Sequence, residues 1–220
     1  MNIQSEALPQ NIKKVAILID WENLRKTLDR AIKKYKIKKK DFTYNDPDKL
    51  LQFIKYSVCN DEEIYRIFFY LSEPIKEARW HGQLYSINNN EKYKKVYENS
   101  INFIDNIKIK DFVSIRRGKL EFRGYDQQKN PIFTQKQVDM LIGLDIAHLS
   151  YLRLVDRVIL FSLDTDLIPA VKVARVNGIQ IVIPNYPDIR NASYDIQEHA
   201  DFVRLLNVKE IIDFINQSNE

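Results

Sequence analysis

Two aspartates separated by one residue, Asp164 and Asp166, have the spacing that most directly suggests chemistry in this sequence. They follow Ser162, where the short apolar run from Val158 to Phe161 ends and a helical pattern begins. One acid at such a junction is explained by helix capping, whereas two acids preceded by a serine exceed what capping needs. Carboxylate oxygens suit Mg²⁺ or Mn²⁺, and a divalent cation would relieve the repulsion between the two charges. The pattern therefore indicates either a helix cap or part of a metal site.

Two further aspartates occupy comparable positions. Asp20 ends the apolar run from Val15 to Ile19, so it takes the same structural place as the first acid of the pair. Asp139 lies in the first turns of a helix that a Thr134–Gln137 capping box predicts. Because ligands bind where the carboxyl ends of parallel strands meet, we expect these acids to converge on that edge of the sheet.

Four converging carboxylates would be unstable as a bare cluster, and a bound metal would turn them into a site for phosphodiester hydrolysis. One metal lowers the pKa of a water molecule and delivers hydroxide, and the same or a second metal stabilises the leaving oxygen. The three histidines form no recognisable constellation, so nothing in the sequence indicates a serine or cysteine nucleophile. The predicted catalytic and metal-binding residues are Asp20, Asp139, Asp164 and Asp166.

Two polar residues near these acids have predicted supporting roles. Asn23 is expected either to cap the first helix or to hold a metal-bound water or a phosphate. Asp145 follows Asp139 by six residues, which turns it about 120° round the helix. It is therefore expected to form a hydrogen bond or another indirect contact instead of sharing the face of Asp139.

Two basic clusters are candidate contacts for the backbone of a nucleic acid. One runs from Lys33 to Lys40, and the other, from Arg116 to Arg123, is predicted as a hairpin that turns at Arg117-Gly118-Lys119. Aromatic residues lie near the second cluster, and single-stranded nucleic acid is bound by charge along the backbone and by rings against the bases. The alternatives are a solvated run and an exposed hairpin whose charges discourage aggregation. The predicted substrate-binding residues are Lys36, Lys38, Lys39, Arg116, Arg117, Lys119 and Arg123.

Apolar periodicity predicts the elements that position these side chains. Strands are expected at residues 13–20, 63–71, 158–161, 179–183 and 201–206, with Pro184 breaking the fourth, and helices after 23, 46, 134, 166 and 207. The polar region 72–106 is expected to be helical, with a break at 88–90. Alternation of strands and helices predicts an α/β protein with right-handed crossovers, a mainly parallel central sheet and helices on both faces, in a Rossmann-like, three-layer α/β/α arrangement.

Length and composition are consistent with one soluble domain. The chain has 220 residues, a net charge of +4 and one cysteine, Cys59, which excludes an internal disulfide and favours a reducing, cytoplasmic location. Cys59 is expected to be a small core residue. No apolar run is long enough to cross a membrane. We expect a flexible tail at 1–12 and a single domain at 13–220, with an insertion around 72–133.

Three segments in this order resemble the NYN domains, and within them the LabA/DUF88-like group of PIN-like nucleases. The segments are AILIDWEN at 16–23, QKQVDMLIGLD at 135–145 and LFSLDTDL at 160–167. The resemblance covers most of the chain and is weakest at 72–106. It implies a PIN-like fold, metal-dependent ribonuclease activity and the same four aspartates as metal ligands, with Asn23 and Ser162 in support. One departure is Lys136-Gln137, where the family often has Lys-Gly before Val-Asp.

The sequence therefore predicts an endonuclease that hydrolyses phosphodiester bonds of RNA and uses Mg²⁺ or Mn²⁺ as its cofactor. RNA is the expected partner, no membrane association is expected, and a homodimer or a protein partner is left open. One alternative is a non-catalytic RNA-binding or regulatory module with the same fold. A DNA nuclease is a second. A glycosyltransferase is a third, since Asp164-Thr-Asp166 is also an Asp-x-Asp pattern, but it leaves Asp20 and Asp139 unexplained.

Overall fold

Seven strands form the central sheet of the computed structural model, which describes residues 12–217. In sheet order they are β6 (Pro131–Lys136), β5 (Val113–Tyr125), β2 (Glu62–Ser72), β1 (Lys13–Asp20), β7 (Arg157–Phe161), β8 (Gln180–Asn185) and β9 (Phe202–Leu205). All neighbours are parallel except β6, which runs antiparallel to β5. The mainly parallel sheet was predicted correctly. Of the predicted tail at 1–12, residues 1–11 lie outside the described residues.

Helices cover both faces of the sheet. The first face carries α1 (Trp21–Tyr35), α2 (Pro47–Lys55), α3 (Glu91–Ile107) and α7 (Val208–Gln217), and the second carries α4 (Val138–Tyr151), α5 (Ile168–Val176) and the short α6 (Tyr194–Glu198). Successive side chains of β1 alternate between the faces: Ile17 and Ile19 pack on the first and Leu18 on the second. The predicted three-layer α/β/α architecture is confirmed.

The strands of the sheet end at different levels. β1 ends at the carboxyl edge of the sheet, whereas β5 continues beyond it. Asp20, the last residue of β1, pairs with Tyr70 of β2, and Tyr70 pairs with Arg116 of β5. Beyond that level β5 continues to Tyr125 and pairs with β6, and we call residues 119–136 the ribbon. A separate hairpin, β3 (Glu77–Trp80) and β4 (Gln83–Ser86), packs against the ribbon. The ribbon therefore projects past the edge where the parallel strands end.

The hairpin predicted at Arg117-Gly118-Lys119 is wrong, because β5 passes straight through Gly118. A Cβ at Gly118 would lie 2.6 Å from the carbonyl oxygen of Lys136, so glycine serves here for close approach and not for turning. The turn lies at 126–130 instead, where the carboxylate of Asp126 accepts the N–H of Asn130 at 2.7 Å. A hairpin does form, between β5 and β6, but its turn lies later in the sequence than predicted.

The Thr134–Gln137 capping box is also wrong. Thr134 lies in β6, and α4 begins only at Val138, with Gln137 before it at φ 74° and without a side-chain hydrogen bond to the helix. This is the left-handed region, which glycine enters without the steric penalty of a side chain. Gln137 is the position at which the sequence departs from the Lys-Gly pattern, so the departure has a backbone cost.

We expect Gln137→Gly to raise the free energy of unfolding by about 0.5 kcal/mol, since relief of the left-handed strain exceeds the added entropy of the unfolded chain. Urea unfolding measures the change. The matched control is Thr134→Gly, which places glycine in the neighbouring extended strand and should destabilise the protein. Equal destabilisation by both variants would contradict the assignment of strain to Gln137.

Several smaller expectations have mixed outcomes. The region 72–106 contains α3 as predicted, but the helix expected before the break is wrong, because the β3–β4 hairpin lies there and a 3-10 turn at Ile87–Asn89 follows it. Pro184 does not break its strand, which continues to Asn185. Cys59 is exposed and not a core residue. Within residues 12–217 no helix is both long and apolar enough to cross a membrane.

Candidate functional site

Asp20 is the most buried acid at the carboxyl edge of the sheet. It ends β1, caps α1, and exposes only 7% of its surface. Its Oδ1 accepts the N–H of Asn23 at 3.1 Å, and its Oδ2 accepts the hydroxyl of Ser162 at 3.3 Å. Burial, followed by the charges of Asp139 and Asp164, raises the pKa of Asp20 to about 6. Near neutral pH this carboxylate is held in an environment that disfavours its charge.

Asn23 is not the helix cap that the sequence predicted, because Asp20 takes that position and Asn23 lies three residues into the helix. Its side chain instead bridges two polar groups of the site. The Asn23 amide nitrogen donates to the hydroxyl oxygen of Ser162 at 3.5 Å, and its oxygen accepts from the guanidinium of Arg190 at 2.8 Å. A chain of hydrogen bonds thus runs from Arg190 through Asn23 and Ser162 to Asp20.

Capping explains one of the two acids after β7. Asp164 caps the 3-10 turn Thr165–Leu167 that leads into α5, and its Oδ1 accepts the N–H of Asp166 at 3.0 Å. Its own N–H donates to the hydroxyl oxygen of Ser162 at 3.2 Å. The carboxylate of Asp166 has no role in this cap and is exposed. The second acid of the pair therefore remains available to a ligand.

Asp139 lies in the first turn of α4, as predicted, and faces the other acids. Partial burial, then the charges of Asp164 and Asp166, raise the pKa of Asp139. Asp20 in turn is affected by Asp139 and Asp164, so electrostatic effects connect all four predicted carboxylates through Asp139. The structure brings these four acids together from three distant segments of the chain.

A divalent cation fits this site by its donor chemistry. Every candidate ligand is a carboxylate oxygen, the donor type that Mg²⁺ and Mn²⁺ prefer, and positive charge would oppose the mutual repulsion recorded in the raised pKa values. Among residues 12–217, however, no three acidic, histidine or cysteine side chains are close enough to hold an ion together. An ion held by these side chains as they lie would therefore have at most two protein ligands and would complete its coordination with water.

Asp145 lies apart from the four acids and forms hydrogen bonds, as the sequence predicted. Its Oδ2 accepts from the hydroxyl of Tyr70 and from Nε of Arg116, both at 2.8 Å. Arg116 also lies over the ring of Phe68, 4.9 Å from its centroid. Arg116 is therefore paired with Asp145, and no ion pair joins it to the four predicted metal ligands among the described residues.

The predicted substrate contacts fall into two groups. Lys36, Lys38 and Lys39 follow the far end of α1, about 24 Å of helix from Asp20, so the structure does not bring them to the site. The second group is at the ribbon. Arg117, just before the ribbon, pairs with Glu73 at 3.2 Å, and Arg123, on the ribbon, lies over the ring of Trp80.

Lys119, another predicted substrate contact, has a second lysine as its cross-strand neighbour. It pairs directly opposite Lys136 across the β5–β6 ladder, and both side chains are exposed. Like charges directly opposite each other destabilise a sheet, and an anion between them would relieve the repulsion. Lys136 is three residues before Asp139, so the pair is close to that acid along the chain. Sequence reasoning missed Lys136 because only the register identifies its partner.

Arg190 was also missed. It lies after β8, in the loop where its guanidinium reaches Asn23. No motif or local pattern marks it, since its partner is 167 residues away in the sequence. It is the basic residue whose contacts connect most directly to Asp20.

Comparison with known proteins adds to this geometry. A family model described as NYN domain matches residues 14–206, a span that includes all four acids. A crystal structure of a protein of unknown function from Vibrio parahaemolyticus is similar, with a TM-score of 0.50 and 19% identity, over 91% of this chain and 97% of that one. At this identity the likeness concerns the fold alone. No curated protein matches the chain.

Proposed function

This chain belongs to the NYN domain family, within the PIN-like nuclease superfamily, and on that premise we propose that it is a metal-dependent endoribonuclease. Its three-layer architecture fits a PIN-like fold, and the family match confirms the resemblance found in the sequence. The LabA/DUF88-like group remains a prediction. The proposal also includes RNA as the substrate, the cytoplasm as the location and Mg²⁺ or Mn²⁺ as the cofactor.

The observation that carries the proposal is the mutual electrostatic effect of the four acids at the carboxyl edge. Burial and, after it, neighbouring carboxylates raise the pKa values of both Asp20 and Asp139, which come from segments more than a hundred residues apart. Clusters of like charge with perturbed pKa values are typical of functional sites. The proposed metal ligands are Asp20, Asp139, Asp164 and Asp166. A divalent ion held there would lower the pKa of water and supply hydroxide near neutral pH.

The chain's own groups would position the site in two ways. The hydroxyl of Ser162 and the N–H of Asn23 fix both oxygens of Asp20, which limits the rotation of that carboxylate. The opposed lysines, Lys119 and Lys136, offer two positive charges to the phosphates of a bound strand. Phosphate contacts of this kind position a nucleic acid without reading its sequence.

Arg190 has a positioning role in this proposal, and we expect Arg190→Ala to lower the cleavage rate 10- to 100-fold. Loss of the guanidinium would free the Asn23 amide, and with it the hydrogen-bond chain that holds Asp20. Cleavage rate and Mg²⁺ dependence are measured together, and the variant should need more Mg²⁺ for half-maximal activity. The charge-matched control is Lys55→Ala, at the exposed end of α2, which should leave both quantities unchanged. An equal effect of the two variants would indicate a general loss of positive charge.

A non-catalytic nucleic-acid-binding module is the second candidate, and one observation favours it. Within the described part of the chain no three potential ligands are gathered to hold an ion. This candidate predicts binding of RNA without metal-dependent turnover. The glycosyltransferase alternative is disfavoured, because the chain is an NYN domain and this reading gives no role to Asp20 and Asp139.

Incubation of the purified protein with labelled single-stranded RNA and DNA of the same sequence separates these functions. Reactions contain Mg²⁺, Mn²⁺ or EDTA. We expect cleavage of RNA with either metal and none in EDTA. Faster cleavage of DNA would indicate a DNA nuclease, and binding without cleavage would favour the non-catalytic module.

A further inference from the structure

A groove opens at the carboxyl edge beside Asp20, between the first turn of α1, the helix α3 and the ribbon. Its volume is about 480 Å³, within the range of sites that bind small organic groups. Trp21 lines it and directly follows Asp20, so their Cα atoms are about 3.8 Å apart. Gln135 also lines it and is four residues before Asp139. None of the four acids lines the groove, but its lining includes the chain neighbour of Asp20 and a residue close in sequence to Asp139, and no proposed catalytic role uses it.

Aromatic rings form much of the groove wall. Trp21 is stacked on Phe103, with ring centroids 4.4 Å apart and planes inclined by 13°. On the other side, Tyr85 meets Phe133 edge to face at 4.9 Å. The rings of Trp21 and Phe133 are only partly buried, so they present apolar surface to the groove. Flat groups bind to such walls by stacking.

Polar groups of one type accompany these rings. The side-chain amides of Asn45, Asn99 and Gln135 line the groove, and no hydrogen bond of these amides is recorded among residues 12–217. The charged lining residues of the described chain, Glu22 and Arg25, are paired with each other at 2.8 Å. The groove thus offers stacking surface together with neutral donors and acceptors, and its charges are already matched. This combination suits a flat, uncharged, hydrogen-bonding ligand.

We propose that the groove binds one unpaired nucleobase of the strand whose phosphate lies at the four acids. The assignment rests on the proposed nuclease function for the identity of that strand. Aromatic rings and amides are the groups that hold unstacked bases in single-stranded nucleic acids. A base inside a duplex is stacked and paired, so it cannot enter the groove without being extruded. The groove therefore makes the protein selective for single strands.

Tryptophan fluorescence tests the proposal without any cleavage. The chain has two tryptophans, so Trp80→Phe leaves Trp21 in the groove as the only reporter. In EDTA, an eight-nucleotide single-stranded RNA should quench this fluorescence, whereas an abasic strand of the same length should not. Since one stacked base contributes about 1–3 kcal/mol, the abasic strand should bind about 5- to 150-fold more weakly. Equal binding of both strands with no quenching would overturn the proposal.

A variant that fills the groove gives an independent test. Asn99→Phe places a ring in the groove from the exposed side of α3, and Glu98→Phe places the same ring at the next position, which does not line the groove. The first variant should bind the RNA only as tightly as the abasic strand, and the second should bind as the unmodified protein does. Thermal unfolding confirms that both are folded.

Cleavage assays in Mg²⁺ separate this proposal from the nuclease itself. Quenching by the normal strand without any cleavage would support the base-binding groove and contradict the nuclease. Cleavage that proceeds equally in Asn99→Phe and in the unmodified protein, on single and double strands, would contradict the groove and support the nuclease.

Discussion

Asp164→Asn is expected to abolish RNA cleavage, with a fall of about 10³-fold or more, which corresponds to about 4 kcal/mol in the barrier. The substituted amide keeps an oxygen that can accept the N–H of Asp166, so the cap of the 3-10 turn survives. What the variant loses is one negative charge from the cluster that would hold the metal. RNA binding should be retained or strengthened, because less negative charge faces the phosphates.

Cleavage of labelled RNA in Mg²⁺ and binding in EDTA are the two measurements. Asp213→Asn is the control, since this acid lies on the exposed face of α7 in an ion pair with Lys209. It removes the same charge far from the acids and should leave cleavage intact. Wild-type cleavage by Asp164→Asn, in protein stripped of metal and then reconstituted, would disprove the proposed mechanism.

Asp20→Asn is expected to stabilise the metal-free protein near neutral pH while it abolishes cleavage. The pKa of Asp20 rises from 3.8 in the unfolded chain to about 6 in the fold. Ionisation is therefore less favourable in the folded state, by about 3 kcal/mol. As the pH rises from about 4 to 6 the unfolded chain loses this proton first, so the contribution of Asp20 to stability falls. Asparagine has no charge to bury and avoids that penalty.

Urea unfolding at pH 4 and pH 7.5, in EDTA, measures the predicted difference. At pH 7.5 the variant should exceed the unmodified protein by up to about 3 kcal/mol, and at pH 4 the two should nearly coincide. Added Mg²⁺ should then stabilise the unmodified protein more than the variant, because binding to the folded state alone adds stability. Equal stability of the two proteins at pH 7.5 would show that the fold does not disfavour the charged form of Asp20.

Local patterns were sufficient for the elements that carry the acids. The apolar runs before Asp20 and Ser162 predict buried parallel strands, and they form β1 and β7. Both features depend on residues that are adjacent in the sequence. Because parallel strands share one carboxyl edge, the convergence of the acids followed from the order of strands and helices.

Features that depend on distant contacts were missed. Gly118 looked like a turn residue, and only the approach of Lys136 and Val138 explains why a strand needs glycine there. Gln137 gives no local signal of a left-handed backbone, which the junction between β6 and α4 imposes. The hairpin at 77–86 has a polar sequence, and its strands are stabilised by packing on the ribbon. In each case tertiary contacts overrode the local preference.

The neighbours of β1 also determine when the sheet can be completed during synthesis of the chain. β1 lies between β2, which follows soon after it, and β7, whose Arg157 pairs with Val15 across 142 residues of sequence. At 5–20 residues per second, the ribosome needs roughly 7–28 s to make that stretch. Until then one edge of the central strand is open, and Asp164 and Asp166 do not yet exist. The four proposed metal ligands can therefore come together only after β7 and the residues that follow it have been synthesised.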